Sequence, residues 1–255
     1  MIQLVIAEEI SKRYGQMVAV DRLTVSIRKG EIYGFLGPNG AGKTTTIKML
    51  TGILRPDSGK ITVLGMDMKD RELDIKCRIG VVPEEPKMYE NLRGHEFASF
   101  IMEIYGARSE ETEKRFSEIC QAFQIDYLNR FISDYSHGMK QKLMVATTLM
   151  RQPSVLFLDE PTVGLDARSA KILKLLLRRI VDNGAAVFLT THVLEIAEKM
   201  CDRIGIIDKG VLIAEGTMHE LKTRSKKEDE VTLEDLFLEL TGAEELRALI
   251  DQIGD

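Results

Sequence analysis

The sequence predicts an α/β protein built around a mostly parallel sheet. Short apolar runs typical of buried strands alternate with helical patterns along the chain, as expected when parallel strands are joined by helices. Residues 3–28 have β character on either side of a turn at Gly15, which predicts an antiparallel β subdomain at the N-terminus. Between residues 92 and 151, apolar side chains recur at helical spacing, which predicts an inserted α-helical subdomain.

The order of the elements follows from these local patterns. Apolar or alternating runs predict strands at residues 4–7, 18–27, 31–36, 60–64, 78–82, 155–158, 186–189, 203–207 and 211–214. Helical spacing predicts helices at residues 45–50, 139–150, 167–181 and 193–200. The last two strands flank Asp208-Lys209-Gly210 and are expected to form a closing hairpin.

The C-terminal part of the sequence predicts a linker followed by helices. The charged run at 224–230 has the composition of a solvated linker. A capping-box pattern at Thr232 opens a helix that is expected to end at Leu240. Apolar residues at helical spacing over 246–253 predict a second amphipathic helix.

The composition is that of an ordinary globular protein, with 44% hydrophobic and 29% charged residues. A net charge of −5 gives no electrostatic footprint for nucleic acid. Cys77, Cys120 and Cys201 are far apart and include no CxxC pair, which argues against a disulfide scaffold or a zinc site and favours a reducing compartment. No run approaches 18 apolar residues, so a role at a membrane requires a partner.

The most informative motif lies between a predicted strand and a predicted helix and matches the pattern GxxxxGK[ST]. In such a loop, backbone N–H groups surround a phosphate, and the following helix directs its positive end at it. The lysine supplies a charge to the β- and γ-phosphates, and the hydroxyl that follows it can ligate Mg²⁺. The motif predicts a P-loop NTPase (RecA-like) core that binds a nucleoside triphosphate; an ordinary glycine-rich turn is the alternative. The expected binding residues are Gly37, Pro38, Asn39, Gly40, Ala41, Gly42, Lys43, Thr44 and Thr45.

Two carboxylates follow the apolar strand predicted at 155–158. Because ligands of open α/β sheets bind at the carboxyl ends of the strands, Asp159 and Glu160 are expected beside the phosphate loop. Asp159 is placed to hold Mg²⁺ together with Thr44, and Glu160 is placed to polarise an attacking water as general base. The alternative for Glu160 is a solvent-exposed acid at the end of a strand.

A third motif gives the chain a resemblance to a known family. Residues 135–142 have the sequence YSHGMKQK, which resembles the signature of ATP-binding-cassette (ABC) transporters, usually written LSGGQ. In that family the signature contacts the γ-phosphate of ATP held by the opposite subunit, which implies nucleotide contacts for Ser136 and Gly138. A serine–glycine helix cap is the alternative. The motif lies after the phosphate loop and just before Asp159, as in the family, and the resemblance covers nearly all of residues 1–220.

The resemblance assigns roles to further positions. Residues 163–166 resemble the loop that crosses the subunit interface, although Asp166 is also suited to cap the following helix. His192 matches the family's switch histidine, which contacts the γ-phosphate and orients the water. Tyr14 matches the aromatic residue that stacks on adenine. For His192 and Tyr14 the alternative is an ordinary place at a strand end or in a turn.

Two positions depart from the family pattern. Glu84 stands where the family usually has a glutamine; a carboxylate can ligate Mg²⁺, but it cannot donate an amide hydrogen bond to the attacking water. His137 replaces the first glycine of the signature and adds a titratable side chain beside the phosphate. Both changes bear on the rate of hydrolysis and on its coupling to transport.

The resemblance implies that the chain binds ATP and Mg²⁺ and hydrolyses ATP as a subunit of an ABC transporter. Residues 82–86, the signature and the tail at 232–242 are most similar to the exporter branch. The implied ATPase domain spans residues 1–223, with the helical subdomain inserted at about 84–151, and residues 224–255 form a linker and helical extension.

The resemblance also implies partners. One is an integral-membrane permease, docked near residues 85–96 with Lys87, Met88 and Tyr89 as the first expected contacts. The other is a second copy of the chain or a similar cassette, related by two-fold symmetry. No nucleic acid is expected, and the chain would lie in the cytoplasm at the inner face of the cell membrane.

Three other functions are left open by the sequence. A soluble ABC ATPase that acts on nucleic acid or ribosomes is one, although about 90 residues separate the phosphate loop from the signature without heptads or CxxC pairs. A regulatory cassette that does not hydrolyse ATP is the second, and the presence of both Glu160 and His192 argues against it. A P-loop kinase or GTPase leaves the signature unexplained.

Overall fold

The computed structural model describes residues 2–224 and 233–241. The strands are β1 (Gln3–Tyr14), β2 (Met17–Arg28), β3 (Ile32–Leu36), β4 (Ser58–Val63), β5 (Met66–Asp67), β6 (Ile79–Val82), β7 (Val155–Asp159), β8 (Ala186–Thr191), β9 (Arg203–Asp208) and β10 (Val211–Gly216). The helices are α1 (Lys43–Leu50), α2 (Glu72–Arg78), α3 (Gly94–Ile104), α4 (Glu110–Phe123), α5 (His137–Leu149), α6 (Ala167–Asp182), α7 (Leu194–Met200), α8 (Met218–Arg224) and α9 (Leu233–Thr241). A 3₁₀ turn at Ile132–Asp134 precedes α5.

The core of the molecule is a six-stranded sheet with the order β10-β9-β3-β8-β7-β6. Its five strands from β9 to β6 are parallel, and β10 pairs with β9 as the antiparallel partner of a hairpin. A parallel sheet is covered by helices on both faces, so its strands are continuous apolar runs. Every residue of β3, β7 and β8 is buried accordingly, and the predicted α/β fold with its closing hairpin is confirmed.

The centre of this sheet is packed by aromatic rings. The ring of Phe188 on β8 stacks on Tyr33 at a centroid distance of 5.8 Å and contacts Phe35 at 5.3 Å, both on β3. It also contacts Phe157 on β7 at 6.1 Å. These contacts hold the three strands side by side. Because the strands are parallel, their carboxyl ends meet at one edge of the sheet.

A second, antiparallel sheet has the order β2-β1-β4-β5. Alternate residues of β1 and β2, such as Val5, Ala7 and Val25, are buried against Met49 and Leu50 of α1 in one apolar cluster with the sheet core. The predicted N-terminal antiparallel subdomain is thereby confirmed. Its strands are longer than predicted, because β1 and β2 continue up to the turn at Gly15.

The inserted helical segment contains α3, α4 and α5, which share one apolar cluster. The sequence predicts the starts of two helices only approximately. In this segment α5 begins at His137 rather than at residue 139. In the sheet core α1 begins at Lys43 rather than at residue 45. Residues at helix starts carry little periodicity, so the caps decide where each helix begins. Ser136 caps α5 by accepting a hydrogen bond from the Met139 N–H at 3.3 Å.

Two further differences concern short elements. The helices α2 and α8 were not predicted, because seven residues give too few turns for a periodic pattern. Arg78, expected in a strand, is instead the last residue of α2. The predicted helix near the C-terminus is present as α9. The linker was predicted at 224–230, but Arg224 is the last residue of α8, and residues 225–230 lie outside the described residues, as does the second predicted helix at 246–253.

Within the described part of the chain, none of the helices combines the length and apolar character required to cross a bilayer.

Candidate functional site

The phosphate loop connects β3 to α1 at the edge of the sheet where the parallel strands end. It bounds a cavity of about 310 Å³. The residues lining this cavity are Asn39, Gly40, Gly42, Lys43, Thr44, Thr45, Glu84, Asp159, Glu160 and His192. Most of the side chains expected to handle phosphate, metal and water thus converge on one cavity.

The loop can form because glycine occupies its most constrained position. Gly42, the residue before α1, has φ of 109°, a conformation that L side chains rarely adopt. A Cβ atom there would also lie 2.5 Å from the Ala19 carbonyl oxygen. The first residues of α1 line the cavity, as a phosphate site at a helix start requires.

Lys43 is the buried cation of the site. Its Nζ donates hydrogen bonds to the carbonyl oxygens of Gly37 at 2.7 Å and Pro38 at 3.2 Å, and it lies 3.9 Å from Glu160 Oε1. Burial lowers the pKa of Lys43, while the carboxylates of Glu160, Asp159 and Glu84 act in the opposite direction. Lys43 supplies the positive charge for an anion that enters the cavity, whereas the carboxylates beside it repel an anion unless a cation is also bound.

Asp159 is the last residue of β7 and lies opposite Thr190 of β8 in the register of the parallel sheet. Its side chain is buried, and its Oδ1 accepts a hydrogen bond from the Thr190 hydroxyl. This bond fixes the direction of the carboxylate at the strand end. Asp159 therefore presents fixed oxygen atoms to the cavity beside Thr44.

Glu160 follows directly and has a strained backbone, with φ of 46°. Its N–H donates to the Thr190 carbonyl oxygen at 3.2 Å. Its Oε1 lies 2.8 Å from His192 Nδ1, whereas its buried Oε2 has no hydrogen-bond partner among the described residues. A buried carboxylate oxygen without a partner is costly unless a ligand or water binds it, which is consistent with a functional rather than a structural role.

His192 follows β8 and is half exposed, with 49% of its side chain accessible, so its ring reaches both Glu160 and the open side of the cavity. Glu84 lies after β6 and is exposed at the rim of the same cavity.

The alternative for Glu160, a solvent-exposed acid at the end of a strand, is wrong, because only 4% of Glu160 is exposed.

Six of the predicted residues do not line the cavity. Gly37, Pro38 and Ala41 belong to the phosphate loop itself, and the other three lie elsewhere in the chain. Ser136 and Gly138 lie at the start of α5, where Ser136 is exposed. Tyr14 ends β1 and is 47% exposed. Their nucleotide contacts therefore stay predictions. Because Ser136 and Gly138 lie outside the cavity, they would not contact a nucleotide bound by their own chain. A contact with the nucleotide of a second subunit agrees with this position.

Thr190 and Gln141 were missed by the sequence reasoning. Thr190 holds both Asp159 and Glu160, and Gln141, fully buried on α5, donates to the Pro161 carbonyl oxygen at 3.4 Å. A polar residue that ends an apolar strand was the available signal for Thr190. Its strand partner could not be known before the register of β7 and β8 was seen.

Among the described residues there is no cluster of three or more His, Cys, Asp or Glu side chains arranged to hold a metal ion alone. Cys120 is buried and Cys77 exposed, and both are free thiols, as is Cys201. A metal at this site would therefore need oxygen atoms from Thr44, from Asp159 and from a bound ligand.

Comparisons with known proteins agree with this geometry. Residues 20–163, more than half of the chain, match the family described as ABC transporter. The chain is 38% identical over 237 residues to the probable multidrug ABC transporter ATP-binding protein YbhF of Escherichia coli, which covers 92% of the chain and 41% of YbhF. It is 40% identical over 219 residues to the linearmycin resistance ATP-binding protein LnrL of Bacillus subtilis, covering 86% and 70% of the two chains.

The fold comparison gives the same result. A solved structure of an ATP binding subunit of an ABC transporter superposes with a TM-score of 0.89 at 30% identity, covering 93% of this chain and 99% of that one. The chain spans less than half the length of YbhF and about two thirds of LnrL. The family match, the relatives and the common fold together show that the chain belongs to the ABC transporter family, as one of its ATP-binding cassettes.

Proposed function

We propose that this chain binds and hydrolyses ATP as the energy-supplying subunit of an ABC exporter. The observation that carries the proposal is the cavity that holds the phosphate loop, two carboxylates and a histidine together. YbhF is described as a probable multidrug ABC transporter ATP-binding protein and LnrL as a linearmycin resistance ATP-binding protein, which favours a role in drug export.

The phosphates of ATP are bound by the loop and by Lys43. The N–H groups at the start of α1 and the Nζ of Lys43 converge on the cavity, so they offer several donors to the β- and γ-phosphate oxygens. Lys43 exchanges its bonds to Gly37 and Pro38 for the phosphate. The adenine ring stacks on Tyr14, whose half-exposed ring lies at the end of β1.

The residues present fit Mg²⁺. This ion prefers hard oxygen ligands, keeps several waters and uses one or two protein groups together with phosphate oxygens. The Thr44 hydroxyl and the carboxylates of Asp159 and Glu84 line the same cavity and supply such oxygens. When bound, the ion neutralises charge on the phosphates.

Glu160 acts as the general base, because its carboxylate is buried beside Lys43 and has an oxygen without a partner. His192 Nδ1 holds the other oxygen, so the carboxylate and the imidazole are oriented by each other. With the γ-phosphate bound near Lys43, Glu160 takes a proton from the attacking water and His192 contacts the phosphate.

Two copies of the cassette bind two ATP molecules between them. The signature at the start of α5 is exposed and outside the cavity of its own chain, so it is available to the nucleotide of a second subunit. If each copy gives its signature to the other, the interface is self-complementary under two-fold symmetry. The same assembly is possible with a similar, non-identical cassette.

A permease docks near residues 85–96, with Lys87, Met88 and Tyr89 as the first contacts, where the chain passes from β6 of the sheet core into α3 of the helical subdomain. An open groove of about 280 Å³ lies there between α3, the end of α5 and the strand β6, and it is lined by Ile101 of α3 and by Tyr105, which follows that helix. The neighbouring Ile53 is 64% exposed and Tyr89 is 58% exposed. Exposed apolar residues around a groove favour a protein partner, which would hold the chain at the inner face of the cell membrane.

The experiment that tests this function is ATP hydrolysis by the purified chain with and without Mg²⁺. The Glu160→Gln variant should bind ATP normally and lose about 10²–10⁴-fold in turnover, because it cannot accept the proton. Glu195→Gln is the matched control, since this exposed acid pairs with Lys199 on α7 and does not line the cavity. Full turnover by Glu160→Gln would reject the general base, and no turnover by the wild type would reject an active ATPase.

A further inference from the structure

The loop of residues 160–166, which joins β7 to α6, is attached to the first two turns of α5. Lys142 Nζ lies 3.1 Å from Asp166 Oδ2, and Gly138 approaches so closely that a Cβ there would lie 2.4 Å from the Gly164 carbonyl oxygen. Between these two contacts, Gln141 Nε2 donates a hydrogen bond to the Pro161 carbonyl oxygen at 3.4 Å. The start of α5 and the loop after Glu160 therefore form one packed unit.

Gln141 is unusual among these contacts because it is fully buried, with 0% exposure. Its Oε1 has no hydrogen-bond partner within the described part of the chain. A buried amide with one unsatisfied atom is less favourable for folding than an apolar side chain of the same size. The bond to Pro161 is what a glutamine adds at this position.

The residue before Pro161 is the proposed general base. Glu160 has φ of 46°, and a non-glycine residue in that region persists only when the surrounding structure imposes the conformation. Thr190 holds the Glu160 N–H from the side of β8. On the other side, Gln141 holds the carbonyl of Pro161, so the backbone on both sides of the strained residue is fixed, from β8 and from α5.

We propose that Gln141 is a positioning residue for Glu160, which fixes the peptide after the general base to the signature helix α5. The inference rests on the proposed role of Glu160 in hydrolysis. Because α5 begins at the signature, a shift of this helix on contact with nucleotide is transmitted through Gln141 and Pro161 to the Glu160 carboxylate. Gln141 does not line the phosphate cavity, so it acts on turnover through Glu160 alone.

The first test is the Gln141→Met variant, which keeps the length of the side chain and removes the donor. Misplacing a reacting group by about 1 Å costs up to about 10²-fold in rate, so kcat should fall by about 10–100-fold. The KM for ATP and the ATP affinity should stay within about twofold, since the phosphate loop is untouched. Thr147→Val is the matched control: Thr147 is also buried on α5, but its hydroxyl bonds only within the helix. It should leave kcat within about twofold.

The second test separates positioning from general damage to the structure. Gln141→Met is added to Glu160→Gln, and the slow residual hydrolysis is followed in single-turnover experiments. If Gln141 acts through Glu160, the double variant hydrolyses ATP at the rate of Glu160→Gln alone, because the two effects are not additive. An equal loss from Gln141→Met in both backgrounds, or a parallel loss of ATP affinity, would overturn the proposal.

Folding of each variant is checked by circular dichroism. If Gln141→Met does not fold, Gln141→Asn takes its place, since it keeps a polar amide and withdraws it from Pro161 by one methylene. Full kcat in the folded variant, or failure of both variants to fold, assigns Gln141 a structural role only and overturns the proposal. Full turnover by Glu160→Gln rejects the general base instead, so the two failures are distinguishable.

Discussion

Lys43 lies between two sets of oxygen atoms, the carbonyls of its own loop and the carboxylate of Glu160. The carbonyl bonds hold the ammonium group at the cavity wall, and the carboxylates around it oppose the lowering of its pKa by burial. The group is therefore oriented for phosphate before ATP arrives. An oriented charge binds an anion with little further cost of ordering side chains.

Lys43→Ala should weaken ATP binding and abolish hydrolysis. A hydrogen bond to a charged group contributes about 1.5–3 kcal/mol, which corresponds to an affinity lower by about 10–150-fold. Isothermal titration calorimetry and a phosphate-release assay measure the two effects. Lys48→Ala is the control, because Lys48 is exposed on the same helix and does not line the cavity. Unchanged affinity and full turnover in Lys43→Ala would overturn the assignment of the phosphate site.

Glu84 is the position at which the cavity differs from the family pattern. It adds a carboxylate to a cavity that already contains Asp159 and Glu160, and its charge acts on Lys43. With Mg²⁺ present, the carboxylate is an acceptor for the ion or for its coordinated water. Without the ion, the three carboxylates repel the triphosphate.

Glu84→Gln should therefore keep hydrolysis and reduce the dependence of ATP binding on Mg²⁺. The expected change is in binding without the metal, which becomes stronger because one negative charge is removed. Nucleotide titrations with and without Mg²⁺ on both proteins measure it. Glu85→Gln serves as control, since Glu85 is equally exposed but does not line the cavity. Identical metal dependence in wild type and Glu84→Gln would remove Glu84 from the site.

At the scale of elements, a buried ionic network joins β3, β9 and β10. Arg203 of β9 contacts Glu31 at 3.0 Å and Glu215 of β10 at 2.7 Å. The Tyr33 hydroxyl of β3 also donates to Glu215, and burial, followed by this carboxylate, raises the pKa of Tyr33. The network ties the closing hairpin to the strand that leads into the phosphate loop.

Arg203→Met should lower the free energy of unfolding by about 3 kcal/mol, because it leaves the buried Glu31 carboxylate without its cation. Adding Glu31→Gln should recover part of the loss, since the uncompensated charge is removed. Urea denaturation measures both. Lys199→Met is the control for an exposed pair and should leave stability essentially unchanged. A similar small effect from Arg203→Met would show that the network does not stabilise the fold.

Elements differ in how well the sequence predicts them. β3, β7 and β8 are continuous apolar runs buried on both faces, so their existence and type follow from hydrophobicity alone. The helices α2 and α8 have seven residues each, which leaves no repeated pattern to recognise. Long periodic elements are therefore predicted, and short ones depend on contacts that arise only in the folded chain.

At the scale of the whole molecule, the cavity depends on the strand order. The sequence places the phosphate loop, Asp159 and His192 after three separate strands, which predicts that they meet only if those strands are neighbours. The order β3-β8-β7 makes them so. The contacts of Thr190 with Asp159 and of Gln141 with Pro161 could not be predicted, because they depend on register and on the packing of α5 against a loop.

Ser136 and His137 of the signature are exposed and do not line the cavity of their own chain. We infer that the site becomes complete only when ATP joins two cassettes. A subunit that binds ATP and cannot hydrolyse it should therefore accumulate as a dimer.

The most direct measurement is the molar mass of Glu160→Gln by light scattering, with ATP and Mg²⁺. We expect a dimer with ATP, a monomer with ADP and a monomer with ATP when Lys43→Ala is added, because that variant no longer holds the triphosphate. The dimer should persist for as long as ATP stays unhydrolysed. A Glu160→Gln protein that remains monomeric with bound ATP and hydrolyses it at the wild-type rate would contradict both the general base and the shared site.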